Sequence, residues 1–419
     1  MLNFLILSIC FSAFLSLSSY SEDRILPPIE VKGEFRVRTE SRNSTLQEGR
    51  SASTFLRLRP DITFRVNPKT FVFFQPQFAK AFGEPTFTGN STSGNIMTPT
   101  SGSMVGSTLG VHQAYGNYQP YQWLQFIPGR QVLSYGDELL IGAGLGWQNV
   151  GRSFDALKVR TEYEWGSTDL FFTKLVDVDI FGPNSKDRDF SGLYHSWRFG
   201  SVVKALDLYA LYLDDQQNKE YGALSLWTLG SRLKLSYDRY DFRGEADHQI
   251  GTSPGILSGT RYAYQGDAEI GATLGPTSKT RVAIGGFASS RSFNELFAAH
   301  HRYLGTADIF GRRNISGAQL RFSSEIVSDW TLQCDVLRFF RTYRDTPAYK
   351  FLGRDPLGKG KTADSASLGT EVDLSVKVGL DRATQLFAGT SILFQGDYFR
   401  QNFGDRTPFL YFLQLETRF

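Results

Sequence analysis

Cysteine and methionine are scarce in this chain, and a long apolar stretch occurs only at its beginning. The 419 residues include 2 cysteines and 3 methionines, so no disulfide framework is expected. After the first segment, no stretch approaches the roughly 18 apolar residues of a membrane-spanning helix. The net charge of +3 is small for this length, which argues against a nucleic-acid partner.

Linkers and low-complexity blocks are also lacking, and this favours one large domain over residues 22–419. Residues 1–21 resemble a secretory signal peptide, with Ser19-Tyr20-Ser21 as the cleavage site, although no Lys or Arg precedes the apolar run. An alternative makes Cys10 a lipidated cysteine, but Ile9 is too large for the position before it. Cleavage leaves Cys334 as the one remaining cysteine.

Alternation of apolar and polar residues runs through nearly the whole chain, whereas helical periodicity is scarce. Between residues 29 and 38, and again between 368 and 378, one parity is mostly apolar and the other carries charges of both signs. These segments run for about ten to thirteen residues, the length that a tilted strand needs to cross a bilayer. Strands of a soluble sandwich are usually about five or six residues long.

The pattern predicts an all-β fold, a transmembrane antiparallel β-barrel in the bacterial outer membrane, where lipid requires an apolar outer face and a wet lumen tolerates charge. Eighteen candidate strands lie near residues 30–40, 53–66, 70–82, 107–118, 121–130, 152–162, 167–178, 190–199, 204–214, 224–236, 239–250, 260–274, 279–289, 314–326, 329–343, 366–378, 382–396 and 408–419. Their connections alternate between long and short, which predicts long extracellular loops, short periplasmic turns and both termini in the periplasm.

Three blocks of sequence resemble the alginate export family of outer-membrane porins. They are GRQVLSYGDELLIGAGLGWQNVGRSFDALKVR (129–160), FNELFAAHHRYLGTADIFGRRN (293–314), and LGTEVDLSVKV through FAGTSILFQGDYF (368–399). The resemblance covers about a quarter of the chain and implies an eighteen-stranded barrel that exports an anionic polysaccharide. An exporter of this kind also implies partners in the periplasm.

Charged residues on the inward parity are the candidate lining of the pore. Arginine suits a path for anions because its fork pairs with carboxylates at two points, and interleaved carboxylates keep binding weak enough for release. The alternative is that these side chains only cross-link the wall through ion pairs. The residues assigned to the substrate path are Arg36, Arg38, Arg57, Arg59, Arg65, Arg130, Arg152, Asp155, Arg321, Glu371 and Asp373.

Arg130, Arg152 and Asp155 belong to the first family block (129–160). The resemblance implies that this block folds toward the pore. The alternative is that Arg130–Asp137 or Arg152–Asp155 pins a loop. Asp308, Asn314 and Asp397 are interpreted as loop caps or turn formers. The adjacent His300-His301 cannot share one strand face, so no metal site is predicted.

No Ser-His-Asp arrangement can be assembled from the sequence, so the protein is not expected to be an enzyme and no cofactor is implied. The prediction is a porin that passes alginate or a similar uronate polymer or oligomer by passive diffusion through a basic lumen. A general or small-anion porin on the same barrel, or a surface adhesin or structural barrel, remains the alternative.

The last residues, PFLYFLQLETRF (408–419), predict the final barrel strand. Phe409, Tyr411, Leu413, Leu415 and Phe419 should face lipid, while Gln414, Glu416 and Arg418 should face the lumen. This strand must pair with the first, near residues 31–37, because an open sheet edge is not tolerated in a bilayer. The terminal Phe419 resembles the signal that the barrel assembly machinery reads.

Overall fold

The structure is a computed structural model that describes residues 28–43, 50–82, 108–176, 187–216, 223–253, 259–275, 279–351, 353, 355–358 and 365–419. The predicted signal peptide and Cys10 lie outside the described residues. Among the described residues, no helix is both long and apolar enough to cross a membrane.

The described residues form eighteen barrel strands and a small set of loop elements. The barrel strands are Ile29–Asn43 (β1), Arg50–Asn67 (β2), Thr70–Ala81 (β3), Thr108–Tyr121 (β4), Leu124–Gln131 (β5), Phe154–Tyr163 (β6), Gly166–Val176 (β7), Arg188–Trp197 (β8), Val203–Asp215 (β9), Leu224–Tyr237 (β10), Tyr240–Ser253 (β11), Gly259–Leu274 (β12), Thr280–Ser289 (β13), Ile315–Val327 (β14), Trp330–Arg341 (β15), Ser367–Gly379 (β18), Thr384–Gln395 (β19) and Phe409–Arg418 (β20). The loop elements are a 3-10 turn, His300–Arg302, the paired short strands Ala348–Tyr349 (β16) and Pro356–Leu357 (β17), and one helix, Asp397–Phe403 (α1).

Each barrel strand pairs antiparallel with the next, and β1 pairs with both β2 and β20. The sheet therefore closes on itself and leaves no open edge, as a bilayer requires. This confirms the predicted eighteen-stranded antiparallel barrel. The pairing of β20 runs from Glu34 opposite Arg418 to Asn43 opposite Phe409, so it extends further along β1 than the predicted contact.

Two-residue turns join several strand pairs, including Pro68-Lys69 and Ser328-Asp329. The candidate strands near 107–118 and 121–130 imply a turn within the YQPY segment (118–121), and this turn is wrong. The segment remains within β4, and the chain reverses at Gln122-Trp123. Pro120 lies one residue before the end of β4, a place where a strand tolerates a residue without an N–H.

Alternating exposure along β20 shows which side chains face outward. Tyr411, Leu413 and Leu415 are 43%, 52% and 37% exposed, whereas Gln414 and Glu416 are buried. The alternation that the sequence predicted for this strand is present from Tyr411 to Glu416. The inward parity also includes the buried Leu410 and Phe412, and Arg418 at the end of the strand is exposed.

The lumen is partly filled by the described residues of four loops, which we call loop A (132–153), loop B (290–314), loop C (342–351, 353, 355–358 and 365–366) and loop D (396–408). One apolar cluster joins Ile141 of loop A and Phe297 of loop B to inward residues of the wall such as Phe154. A second joins Phe310 of loop B to Phe399 of α1. These clusters lie inside the barrel, so the loops and the wall form one packed unit.

Candidate functional site

The arginines that the sequence assigns to the pore on β1 and β2 are buried beneath loop A. Arg36, Arg38, Arg57 and Arg59 are at most 3% exposed. Arg36 Nη2 and Arg57 Nη1 donate to the carbonyl oxygen of Gln148 at 2.8 and 2.7 Å. Arg59 Nη2 donates to the Val150 carbonyl at 2.5 Å, and Arg38 donates to that of Trp147. These four guanidinium groups therefore hold loop A against the wall.

Nearby carboxylates and loop carbonyls allow these four arginines to lie close together. Arg36 lies directly opposite Arg57, a like-charge pair that is unfavourable by itself. Glu34 accepts a hydrogen bond from Arg57 Nε at 2.6 Å, and Glu40 accepts one from Arg38 Nε at 2.6 Å. The carboxylates and the loop carbonyls together compensate the buried charge.

The predicted residues on β14 and β18 hold loop B in a similar way. Glu371 Oε1 accepts the Ala307 N–H at 3.0 Å, and Asp373 Oδ2 accepts the Thr306 N–H at 3.0 Å. Arg321 Nη2 donates to the Arg302 carbonyl at 2.7 Å. All three of these wall residues are buried.

The predicted residues around loop A are distributed over both faces of the wall. Arg152 donates to the Gly142 carbonyl at 2.8 Å and to carbonyls of loop B, so it ties the two loops together. Arg130 and Asp155 form a two-point pair with each other. They lie directly opposite in register, next to the inward-facing Phe154, and therefore share the outer face.

Neither ion pair that the sequence suggested at loop A is present. Asp137 instead pairs with Arg232, at 3.4 Å, and with Lys234. Arg65, near the other end of β2, is largely exposed and lies 3.6 Å from Glu30.

A stack of three side chains joins loops A and B to the wall. The Arg38 guanidinium lies 3.9 Å from the Trp147 ring centroid, and the His301 ring lies 3.8 Å from the other face at 9°. His301 Nδ1 lies 3.1 Å from Asp308 Oδ1. His301 therefore packs against Trp147 and lies beside Asp308. No group of residues suited to a metal ion occurs in the described part of the chain.

The three predicted turn formers lie where loops change direction. Asp308 and Asn314 both have positive φ, at 54°. The Asn314 side-chain amide donates to the carbonyl oxygens of Tyr343, Thr346 and Pro347 and so ties loop B to loop C. Asp397 is the first residue of α1.

Open space remains beside the start of loop A, in a cavity of about 330 Å³ against β6 to β10. Its charged lining consists of Lys158, Arg160, Asp169, Arg198, Asp207 and Arg232. Four of these groups are cations and two are carboxylates. The cavity lies toward the end of the barrel with the short turns, and it is an open, charge-lined part of the described lumen.

Two tyrosines that line the cavity donate hydrogen bonds to its two carboxylates. Tyr135 donates to Asp169 at 2.9 Å and Tyr194 donates to Asp207 at 2.5 Å. Burial of the Tyr135 phenol raises its pKa well above the ordinary value, and the negative charge of Asp169 raises it further. This phenol therefore remains protonated and continues to donate at neutral pH.

The sequence did not predict this cavity, because the alternation along β6 and β7 does not show clearly which side chains point inward. Phe154 and Ala156 pack against the inner cluster, which places Lys158 and Arg160 on the same inward parity. The run of Ala156, Lys158, Arg160 and Glu162 was the available signal, but the outer parity carries Asp155 and Thr161 and so lacks a clean apolar contrast.

Comparison with known proteins places this barrel in a family. The model of the alginate export family matches residues 107–411. No protein with a curated description matches the chain significantly.

Solved structures with a similar fold include three outer-membrane porins from pseudomonads. A BenF-like porin from Pseudomonas fluorescens Pf-5 has a TM-score of 0.61 and 11% identity, covering 94% of this chain and 99% of that one. OprD from Pseudomonas aeruginosa has a TM-score of 0.61 and 9% identity, covering 93% and 94%. OccK2 (OpdF) from the same organism, in complex with glucuronate, has a TM-score of 0.59 and 11% identity, covering 93% and 97%.

At these identities the solved structures establish a shared fold, while the family match extends over most of the chain. A closed eighteen-stranded barrel with an apolar outer face agrees with both. The chain belongs to the alginate export family of outer-membrane porins.

Proposed function

We propose that this porin passes anionic sugars, alginate or similar uronate oligomers, by passive diffusion. The cavity beside loop A carries this proposal, because its lining holds four cations, of which Arg160, Arg198 and Arg232 pair with carboxylates and Lys158 does not. An excess of fixed positive charge in a narrow, partly desolvated space concentrates anions. These carboxylates keep each contact weak enough for release.

Ion selectivity in a planar bilayer tests the proposal. Purified protein under a KCl gradient should give a reversal potential that shows anion preference, and an oligouronate should reduce the current. A neutral oligosaccharide of the same length is the control and should reduce it much less. Cation preference would overturn the anion pathway, and equal reduction by both sugars would overturn the uronate preference.

A second candidate is a porin for small organic anions, which the size of the cavity favours. About 330 Å³ is at the lower end of the range for small-molecule sites, so a single sugar acid fits more readily than a chain. The neighbour OccK2 was solved with glucuronate. Liposome swelling with a uronate monomer and with oligomers of increasing length separates the two candidates, because uptake limited to the monomer favours the second.

The partners proposed for this barrel are outer-membrane lipid, barrel assembly machinery that reads Phe419, and periplasmic export proteins. The porin fold of the family is consistent with a channel that performs no catalysis. The proposal therefore includes neither a reaction nor a cofactor.

A further inference from the structure

We propose that the ammonium group of Lys158 is the principal binding partner of the substrate carboxylate. This inference rests on the function proposed above and assigns it to one side chain. It also shifts substrate binding from the β1 and β2 arginines, which the sequence favoured, to β6, another part of the barrel wall.

The first argument is position. Lys158 is in β6, two residues from Arg160, and both side chains line the cavity. Residues two apart on a strand share a face and lie about 7 Å from each other. A substrate passing along β6 therefore meets both cations in succession.

The second argument is that Lys158 has no ion-pair partner among the residues that the structure describes. In register it lies opposite Ile127 of β5 and Phe171 of β7, two apolar inward residues. It forms no ion pair with any residue that the structure describes, and its side chain is half-buried. A half-buried charge without a partner is unfavourable, so an arriving carboxylate gains from pairing with it.

The other cations of the cavity already have partners. Arg160 Nη1 lies 3.6 Å from Asp169, Arg198 Nη2 lies 3.2 Å from Glu162, and Arg232 Nη2 lies 2.5 Å from Asp207. A substrate carboxylate must compete with these protein carboxylates, which weakens its gain from pairing.

Asp169 attracts the Lys158 ammonium group but forms no ion pair with it. Its Oδ2 atom accepts the Tyr135 hydroxyl and lies near Arg160. Its position diagonal to Lys158 in the register leaves a cross-strand separation of about 7–8 Å between their backbones.

The chemistry of the remaining lining suits a sugar acid. Ser167 and Ser196 line the same cavity. The Ser196 hydroxyl donates to Asp207 at 2.6 Å and can accept from a sugar hydroxyl, and Ser167 can bond to another while the carboxylate pairs with Lys158. The β1 and β2 arginines do not compete for this substrate, because their guanidinium groups bind loop A carbonyls.

The test compares Lys158→Gln, Lys158→Arg and Lys234→Gln with the wild-type protein in planar bilayers. Lys234 is the matched control: it is an inward lysine of β10, but its charge is already paired with Asp137. For each protein, the current is titrated with trigalacturonate, and the reversal potential is measured in a KCl gradient.

Lys158→Gln should raise the concentration of trigalacturonate needed for half block roughly tenfold, as expected for loss of one charge-assisted bond. It should also reduce anion preference, whereas Lys158→Arg and Lys234→Gln should stay close to wild type. Circular dichroism of the purified variants checks that the barrel is retained.

Unchanged block and selectivity in a folded Lys158→Gln protein would overturn the inference and leave the proposed function in place. An equal effect of Lys234→Gln would also overturn it, because any inward lysine would then serve. If trigalacturonate does not reduce the wild-type current, the proposed substrate is wrong and the assignment of Lys158 falls with it.

Discussion

Gly33 and Phe419 are hydrogen-bonded to each other at the closing seam of the barrel. The Gly33 N–H donates to the Phe419 carbonyl oxygen at 2.7 Å, and the Phe419 N–H donates to that of Gly33 at 3.1 Å. A Cβ at position 33 would lie 2.5 Å from the Phe419 ring and 2.8 Å from the Arg59 carbonyl oxygen. The final residue of the chain is thus held against the first strand, and only glycine leaves room for it.

Gly33→Ala should therefore weaken closure of the barrel. Overpacking at such a contact costs about 1–3 kcal/mol, and the Arg59 backbone cannot move aside cheaply. The measurement is the free energy of unfolding in denaturant, with Gly266→Ala as control, because nothing lies within 4 Å of a Cβ there. Equal stability of the two variants would mean that the seam tolerates a methyl group.

Deletion of Phe419 should reduce the amount of barrel in the outer membrane more than it changes the molecules that assemble. Its backbone closes the seam and its ring is exposed on the outer face, far from the charged cavity. Quantitative blotting of membranes and single-channel conductance provide the two measurements. A changed conductance at normal abundance would contradict this prediction.

Arg57→Gln should release loop A and increase conductance more than it alters ion selectivity. The change removes one hydrogen-bond donor from each of three acceptors: the carbonyl oxygens of Gln148 and Leu145, and the Glu34 carboxylate. The loss of a donor to a buried acceptor destabilises the folded state by about 1–3 kcal/mol. Single-channel recording tests it, with the exposed Arg65→Gln as the control. Loss of anion preference at unchanged conductance would instead make Arg57 a direct contact of the substrate.

Trp147→Ala should loosen the joint between loops A and B, since its ring lies between Arg38 and His301. Truncating a buried Trp typically costs about 3–5 kcal/mol, and we expect noisier currents and faster proteolysis within loop A. Trp147→Phe retains a ring for stacking and should be milder. Proteolysis at wild-type rates in the Ala variant would show that the other contacts suffice.

Alkaline pH should loosen loop B through Tyr303. Burial raises the pKa of this phenol to about 12, against roughly 10 in an unfolded chain. The folded state retains the proton longer, so the contribution of Tyr303 to stability is complete below pH 10 and is lost as the pH rises toward 12. Tyr303→Phe should remove this component from the pH dependence of unfolding. A variant with the wild-type alkaline profile would assign the loss to other groups.

The strands could be predicted because successive side chains in a barrel strand face lipid and lumen in turn, so apolar and polar residues alternate along the sequence. Where both faces carry polar groups, as around Asp155 and Lys158, the pattern lost its contrast and the facing stayed ambiguous. The turn at Gln122-Trp123 was misplaced because Pro120 resembles a turn signal although it lies within β4, one residue before its end.

The sequence by itself determined an eighteen-stranded barrel, its apolar outer face and the inward direction of Arg36, Arg38, Arg57 and Arg59, since period-two alternation is a local property. Only the tertiary structure decided what those arginines bind. Gln148 and Val150 are more than ninety residues from Arg36 and Arg59, respectively, along the chain, and no local pattern reports such a contact. Loop A also borders the open cavity that Lys158 lines, where Lys158 has no ion-pair partner among the described residues because apolar Ile127 and Phe171 lie opposite it in the register.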